Sequence, residues 1–158
     1  MLFRSLSLLV GISIGADAIR SLEQLARLPY DTAHPIGALR TITTSQSLFR
    51  EGDADGDGTL AYAGSPWALG EAGLVNEALA RGVTRGYGYQ VIRGVRRDAS
   101  DHGPEFLWAA TAYPLPPGGR RLFFTNHEGA IFFTTDVRPL SVDPRTCAAP
   151  PGLIPMGR

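Results

Sequence analysis

The sequence predicts an α+β domain in which an N-terminal helix packs on an antiparallel meander of about four strands. Three observations carry this reading. Apolar residues recur at helical spacing between Ile36 and Phe49. From Tyr87 onward the period changes to two. The 158 residues include 19 Gly and 12 Pro, above average usage, which cuts the chain into short elements joined by turns.

Residues 1–29 read as a signal-like or anchoring segment. Arg4 precedes residues 5–16, which carry no charge and include Leu6, Leu8, Leu9, Val10, Ile12 and Ile14. This run is shorter than the roughly 20 residues of an untilted membrane span. With Ala16-Asp17-Ala18 behind it, it has the layout of a secretory signal with a small-x-small cleavage site. Ile19, Leu22, Leu25 and Leu28 prolong the helical spacing up to Pro29, so the start of a longer helix is the competing reading.

Residues 30–136 form the expected globular domain. Pro35 suits the first position of a helix. Ile36, Leu39, Ile42 or Thr43, Gln46 and Phe49 then fall on one face, and the helix should end near Arg50. A glycine-rich acidic loop, residues 52–58, follows. A second helix is expected over residues 66–79, with Leu69, Leu74, Val75, Ala78 and Leu79 as its apolar positions and Gly82 as its stop. Alternation then marks strands around residues 87–92, 106–113, 120–125 and 131–133. The turn Asn126-His127-Glu128-Gly129 makes the last two a hairpin. Phe123-Phe124 and Phe132-Phe133 place one ring on each face of that hairpin. Residues 137–158, with Pro139, Pro144, Pro150, Pro151 and Pro155 and few large apolar residues, read as a proline-rich disordered tail.

Composition excludes several functions. Fifteen basic and 15 acidic residues cancel, so no broad cationic field exists for nucleic acid. All the basic residues are arginine, which excludes Schiff-base and lysine-base chemistry. The single cysteine, Cys147, excludes an intrachain disulfide, a thiolate zinc cluster and a CxxC pair. His34, His102 and His127 are far apart in sequence. Ser100-Asp101-His102 has the residue types of a hydrolase triad, but such triads are assembled from distant segments. No nucleophile-elbow, P-loop or dinucleotide motif is present. Arg93, Arg96 and Arg97 with Arg120 and Arg121 are expected either to form a basic edge across neighbouring strands or to guard the sheet against edge pairing.

The sharpest local pattern is Asp53-Ala54-Asp55-Gly56-Asp57-Gly58-Thr59. Carboxylates at alternate positions converge on one hard cation, and the glycine after the third allows the turn that presents the next carbonyl. Asp53, Asp55, Asp57 and the Thr59 carbonyl are therefore the candidate metal ligands, with calcium the candidate ion. The twelfth position of such a loop is Gly64 where a bidentate glutamate belongs, so Glu51, Glu71 or water would have to complete the shell. A solvated acidic turn is the alternative.

The order of short motifs resembles the globular part of type IV pilin-like and type II secretion pseudopilin-like proteins. The resemblance covers about residues 36–135 and rests on Ile36-Gly37-Ala38-Leu39-Arg40-Thr41-Ile42, Gln46, Phe49, the acidic loop and Leu69-Gly70 with Gly73-Leu74-Val75. Ala78-Leu79-Ala80-Arg81-Gly82, Gly86-Tyr87, Ala110-Thr111-Ala112-Tyr113-Pro114 and Arg121-Leu122-Phe123-Phe124-Thr125 before Glu128-Gly129-Ala130-Ile131 complete the series. It implies a long N-terminal helix whose lower half packs on a meander and whose upper half anchors the subunit and enters a fibre core. It implies no enzymatic site, and in some pseudopilins a calcium ion in a globular-domain loop. The N-terminus departs from the family. Gly15 is followed by Ala16-Asp17 instead of Phe-Thr-Leu-x-Glu, and Pro29 and Pro35 interrupt the helix.

The sequence thus points to a non-enzymatic, exported structural protein located in the periplasm, on the inner membrane or at the cell surface. Its partners would be proteins of a cell-envelope or secretion assembly, itself included, with membrane association through the N-terminal segment and no nucleic acid. A calcium-binding exported module is the second reading and a hydrolase the third.

Overall fold

The computed structural model describes residues 33–95, 106–116 and 119–156. The first helix, α1 (Ala33–Glu51), presents Pro35, Ala38, Leu39, Ile42, Ser45, Gln46 and Phe49 to the interior. These follow the 3.6-residue period, and Ile42 rather than Thr43 takes the inward position. The face is only partly apolar because two inward residues are paired with backbone, Ser45 Oγ donating to the Leu74 carbonyl at 2.9 Å. Gln46, fully buried, donates from Nε2 to the Ala63 carbonyl at 3.0 Å and accepts the Ala63 N–H at 2.8 Å. This closes the amide of α1 against the chain that returns from the acidic loop.

The single second helix expected over residues 66–79 is two short ones, α2 (Pro66–Glu71) and α3 (Glu77–Ala80). Gly73 separates them. Its φ of +71° ends α2, with the Leu74 N–H donating back to the Leu69 carbonyl at 2.9 Å. Each helix has its own N-cap: Ser65 Oγ accepts from Ala68 N, and Asn76 Oδ1 from Leu79 N. Gly82, at φ +74°, stops α3 as expected.

Among the described residues, six strands rather than about four form one antiparallel sheet in sequence order. They are β1 (Val83–Thr84), β2 (Tyr87–Arg93), β3 (Trp108–Pro114), β4 (Leu122–Asn126), β5 (Ile131–Thr134) and β6 (Ile154–Pro155). The two additions are two-residue edge strands whose brevity leaves no alternation to read. The β4–β5 hairpin turns at Asn126 to Gly129, as expected, with Gly129 N–H bonded to the Asn126 carbonyl at 2.8 Å and Gly129 at φ +77°.

The two faces bury different sets. On one, Tyr87, Tyr89, Val91, Trp108, Ala110, Ala112 and Phe123 pack with Leu39, Ile42, Phe49, Leu69 and Leu79 of the helices. On the other, Ala109 and Phe124 pack with Cys147, and Phe132, Leu140, Val142, Ala149 and Leu153 close around them. The Phe pairs therefore divide between faces as their spacing requires.

That second cluster corrects the C-terminal boundary. Residues 137–156 are not a disordered tail but a strap across the second face of the sheet. Cys147 is fully buried, Asn126 Nδ2 donates to the Cys147 carbonyl at 3.0 Å, Val95 N–H reaches the Pro144 carbonyl at 3.1 Å, and β6 pairs with β5. Low apolar content misled because a strap needs only a few apolar contacts. Proline also reduces the entropy an extended segment loses on ordering.

Candidate cation-binding loop

The acidic loop grows out of the end of α1. Gly52 N–H, Asp53 N–H and Ala54 N–H bond to the carbonyls of Leu48, Arg50 and Phe49 at 3.0, 3.3 and 3.1 Å. Asp53 then takes φ +44°, a conformation that aspartate tolerates better than most residues. Gly56 and Gly58 follow at φ +66° and +78°, where a Cβ would be strained. The three left-handed residues curl the loop back on itself.

That curl brings the carboxylates together. Ligand oxygens of Asp53, Asp55 and Asp57 all lie within 4.8 Å of one another. Asp53 Oδ2 accepts the Gly58 N–H at 3.1 Å and Asp57 Oδ1 the Thr59 N–H at 2.7 Å. The other oxygen of Asp53, Oδ1, is shielded from solvent and has no hydrogen-bond partner. Asp55 and Asp57 are exposed. Three carboxylates at a helix C-terminus, where the backbone dipole is negative, repel one another unless a cation or water intervenes.

The residues fit a hard cation in the first half of the loop. The Thr59 carbonyl accepts the Ala61 N–H at 2.7 Å, which leaves it one lone pair for a ligand bond. In the second half the shell stays open. Gly64 contributes no side chain, and α2 starts at Pro66, beyond the twelfth position. Neither Glu51 nor Glu71 belongs to the carboxylate cluster among the described residues. The candidate donors are thus three carboxylates and the Thr59 carbonyl, with water for the remainder, a set that would hold calcium weakly.

Arg50 braces this end of the molecule, a role the sequence did not single out. Its Nε donates to the Leu60 carbonyl at 3.1 Å, and its guanidinium lies over the rings of Tyr62 and Phe106, at 5.4 and 4.9 Å from their centroids. The signal available was a basic residue in the last helical turn, followed by aromatic residues further along.

Among the described residues, the other candidates do not converge. His34 lines an open groove of about 470 Å³ with Gly37, Thr41, Asn76, Leu79 and Thr84, whereas His127 sits in the β4–β5 turn. Ser100, Asp101 and His102 lie outside the described residues, as do Arg96 and Arg97. Arg93 and Arg121 do not share an edge. Arg93 ends β2 opposite Trp108, and Arg121 precedes β4 at the other end of the sheet, stacked on Phe133 at 5.1 Å. Compared with protein-family models, curated proteins and solved structures, the chain gives no match.

Proposed function

We propose that the protein is a non-enzymatic, exported pilin-like structural subunit that works by association with a cell-envelope or secretion assembly, its own copies included. The observation that carries this reading is architectural. A 19-residue helix at the start of the described chain lies against a sheet whose strands follow one another in sequence order. The 32 residues before it include the uncharged run 5–16, a segment suited to export or anchoring. Mass determination of the protein from its native cell envelope, after cross-linking in cells, tests the reading. Recovery in the envelope fraction, cross-linked to envelope proteins or to itself, is expected. Recovery solely as an uncross-linked cytosolic monomer would refute it.

The convergence of Asp53, Asp55 and Asp57, with Asp53 Oδ1 shielded and without a hydrogen-bond partner, favours a second reading, a calcium-binding exported module. Occupancy at a hundredfold excess over Kd stabilises the fold by about 2.7 kcal/mol. The melting temperature should therefore rise in calcium relative to chelator, and Asp55→Ala, an exposed position, should abolish the rise. No shift in the wild type, or an equal shift in the variant, ends this reading.

A further inference from the structure

The described charges are sorted along the sheet. Tyr87 pairs with Pro114 and Leu122 with Thr134 at one end, while Arg93 pairs with Trp108 and Ala109 with Asn126 at the other. Helix α1 runs the same way. Its first turns share a groove with Thr84, and Arg50 in its last turn covers the Phe106 ring beside the start of β3. At the Tyr87 end stand Arg85, Arg120, Arg121 and Arg138, with Asp136 paired to Arg138. Arg81 and Glu77, paired with each other, cancel beside them. At the Trp108 end Glu51, Asp53, Asp55, Asp57, Glu128 and Asp143 outnumber Arg50, Arg93 and Arg145. Among the described residues, apart from Arg40 within α1 and Glu71 at the end of α2, the charges thus form a dipole along α1.

Two further features mark the arginine end. Val83, Tyr113 and Val137, exposed at 52%, 37% and 48%, stand among its arginines. The chain also enters α1 here, coming from the 32 residues that contain the uncharged run 5–16.

From these features we propose that the arginine end docks on an anionic lipid bilayer. Arg85, Arg120 and Arg121 contact headgroup phosphates, Tyr113 and Val137 sit at the interface, and the acidic end points away. Arginine matches phosphate geometry, and tyrosine favours a boundary that is apolar on one side and wet on the other. One short apolar segment alone gives marginal membrane binding, and a basic surface supplies the second signal. A protein without net charge is drawn electrostatically to an anionic surface only through an uneven charge distribution such as this dipole, which also favours one orientation. This inference rests on the envelope-associated reading but has its own readout. The fractionation experiment concerns location, whereas this one concerns lipid charge.

The test is co-sedimentation of the full chain with phosphatidylcholine vesicles and with vesicles containing 30% phosphatidylglycerol, a fraction that raises the negative surface potential to roughly that of an anionic leaflet. Tighter binding to the anionic vesicles is expected, with the preference lost when salt is raised from about 0.05 to about 0.5 M. Each arginine near such a surface contributes about fivefold, so Arg85→Gln with Arg120→Gln and Arg121→Gln should weaken binding on the order of 100-fold. Arg93→Gln, at the opposite end, should leave it unchanged. The salt response of the wild type carries the test if the triple variant fails to fold. Equal binding to both vesicle types, no binding to either, or an equal effect of Arg93→Gln overturns the proposal. So does salt-sensitive self-association without a lipid preference, which would assign the arginine end to the acidic end of a second copy.

Discussion

The side-chain amide of Asn126 donates to the Cys147 carbonyl at 3.0 Å, while its Oδ1 accepts the Glu128 N–H at 3.2 Å within the β4–β5 turn. One buried residue therefore shapes the hairpin and fastens the strap to the sheet. A turn residue that reads from sequence as local chemistry is also a tertiary contact.

Asn126→Ala should remove both bonds and leave the Cys147 carbonyl buried without its donor. A loss of about 2–3 kcal/mol in urea unfolding is expected. Limited proteolysis should then cleave first within residues 137–156. Unchanged stability with the strap still protected would show that Asn126 does not hold it.

The Gln46–Ala63 pair makes a sharper test of buried polarity. Gln46→Leu keeps side-chain volume but orphans the N–H and carbonyl of Ala63, which is itself buried. Because an unsatisfied buried group costs about 1–3 kcal/mol, the variant should lose stability despite gaining hydrophobicity. A melting temperature at or above that of the wild type would contradict this account.

Leu39 and Phe124 are each fully buried, on opposite faces of the sheet. Truncation to alanine should cost about 3 kcal/mol at either site. The comparison bears on the strap, because a loose covering over Phe124 would make its truncation nearly free. Calorimetry or denaturant melts of the two single variants decide the matter.

Alkaline pH should destabilise the fold. Burial, with help from the nearby Asp143 carboxylate, pushes the Cys147 thiol up to about 11, and burial also raises the Tyr89 phenol. Both groups bind their proton more tightly when folded. Their contribution is therefore complete below their ordinary values, 9.0 and 10.0, and is lost as pH rises through the folded ones. Melting temperature should fall as pH climbs from about 9 to about 11, and Cys147→Ala should flatten the first part of that fall. Disulfide reagents should react with the thiol slowly in the native protein and fast in denaturant. An unchanged slope in the variant would remove Cys147 from the explanation.

Periodicity by itself determined α1, the four longer strands, the β4–β5 hairpin and the assignment of Phe123 and Phe124 to opposite faces, because side-chain direction follows directly from backbone repeat. It also supplied the order of carboxylates at Asp53, Asp55 and Asp57, since alternate residues in a glycine-rich turn face one another. Tertiary structure alone decided the rest. Gly73 divided the expected helix because its left-handed backbone ended α2, leaving Asn76 to cap α3, and Gln46, which periodicity placed on the inward face, found its hydrogen-bond partners there because Ala63 returned to meet it. The two-residue edge strands and the strap were illegible for one reason: their stability comes from partners far along the chain. Composition treated residues 137–156 as poor in apolar side chains, but the sheet needed only a few of them, held in place by Asn126, to cover its second face.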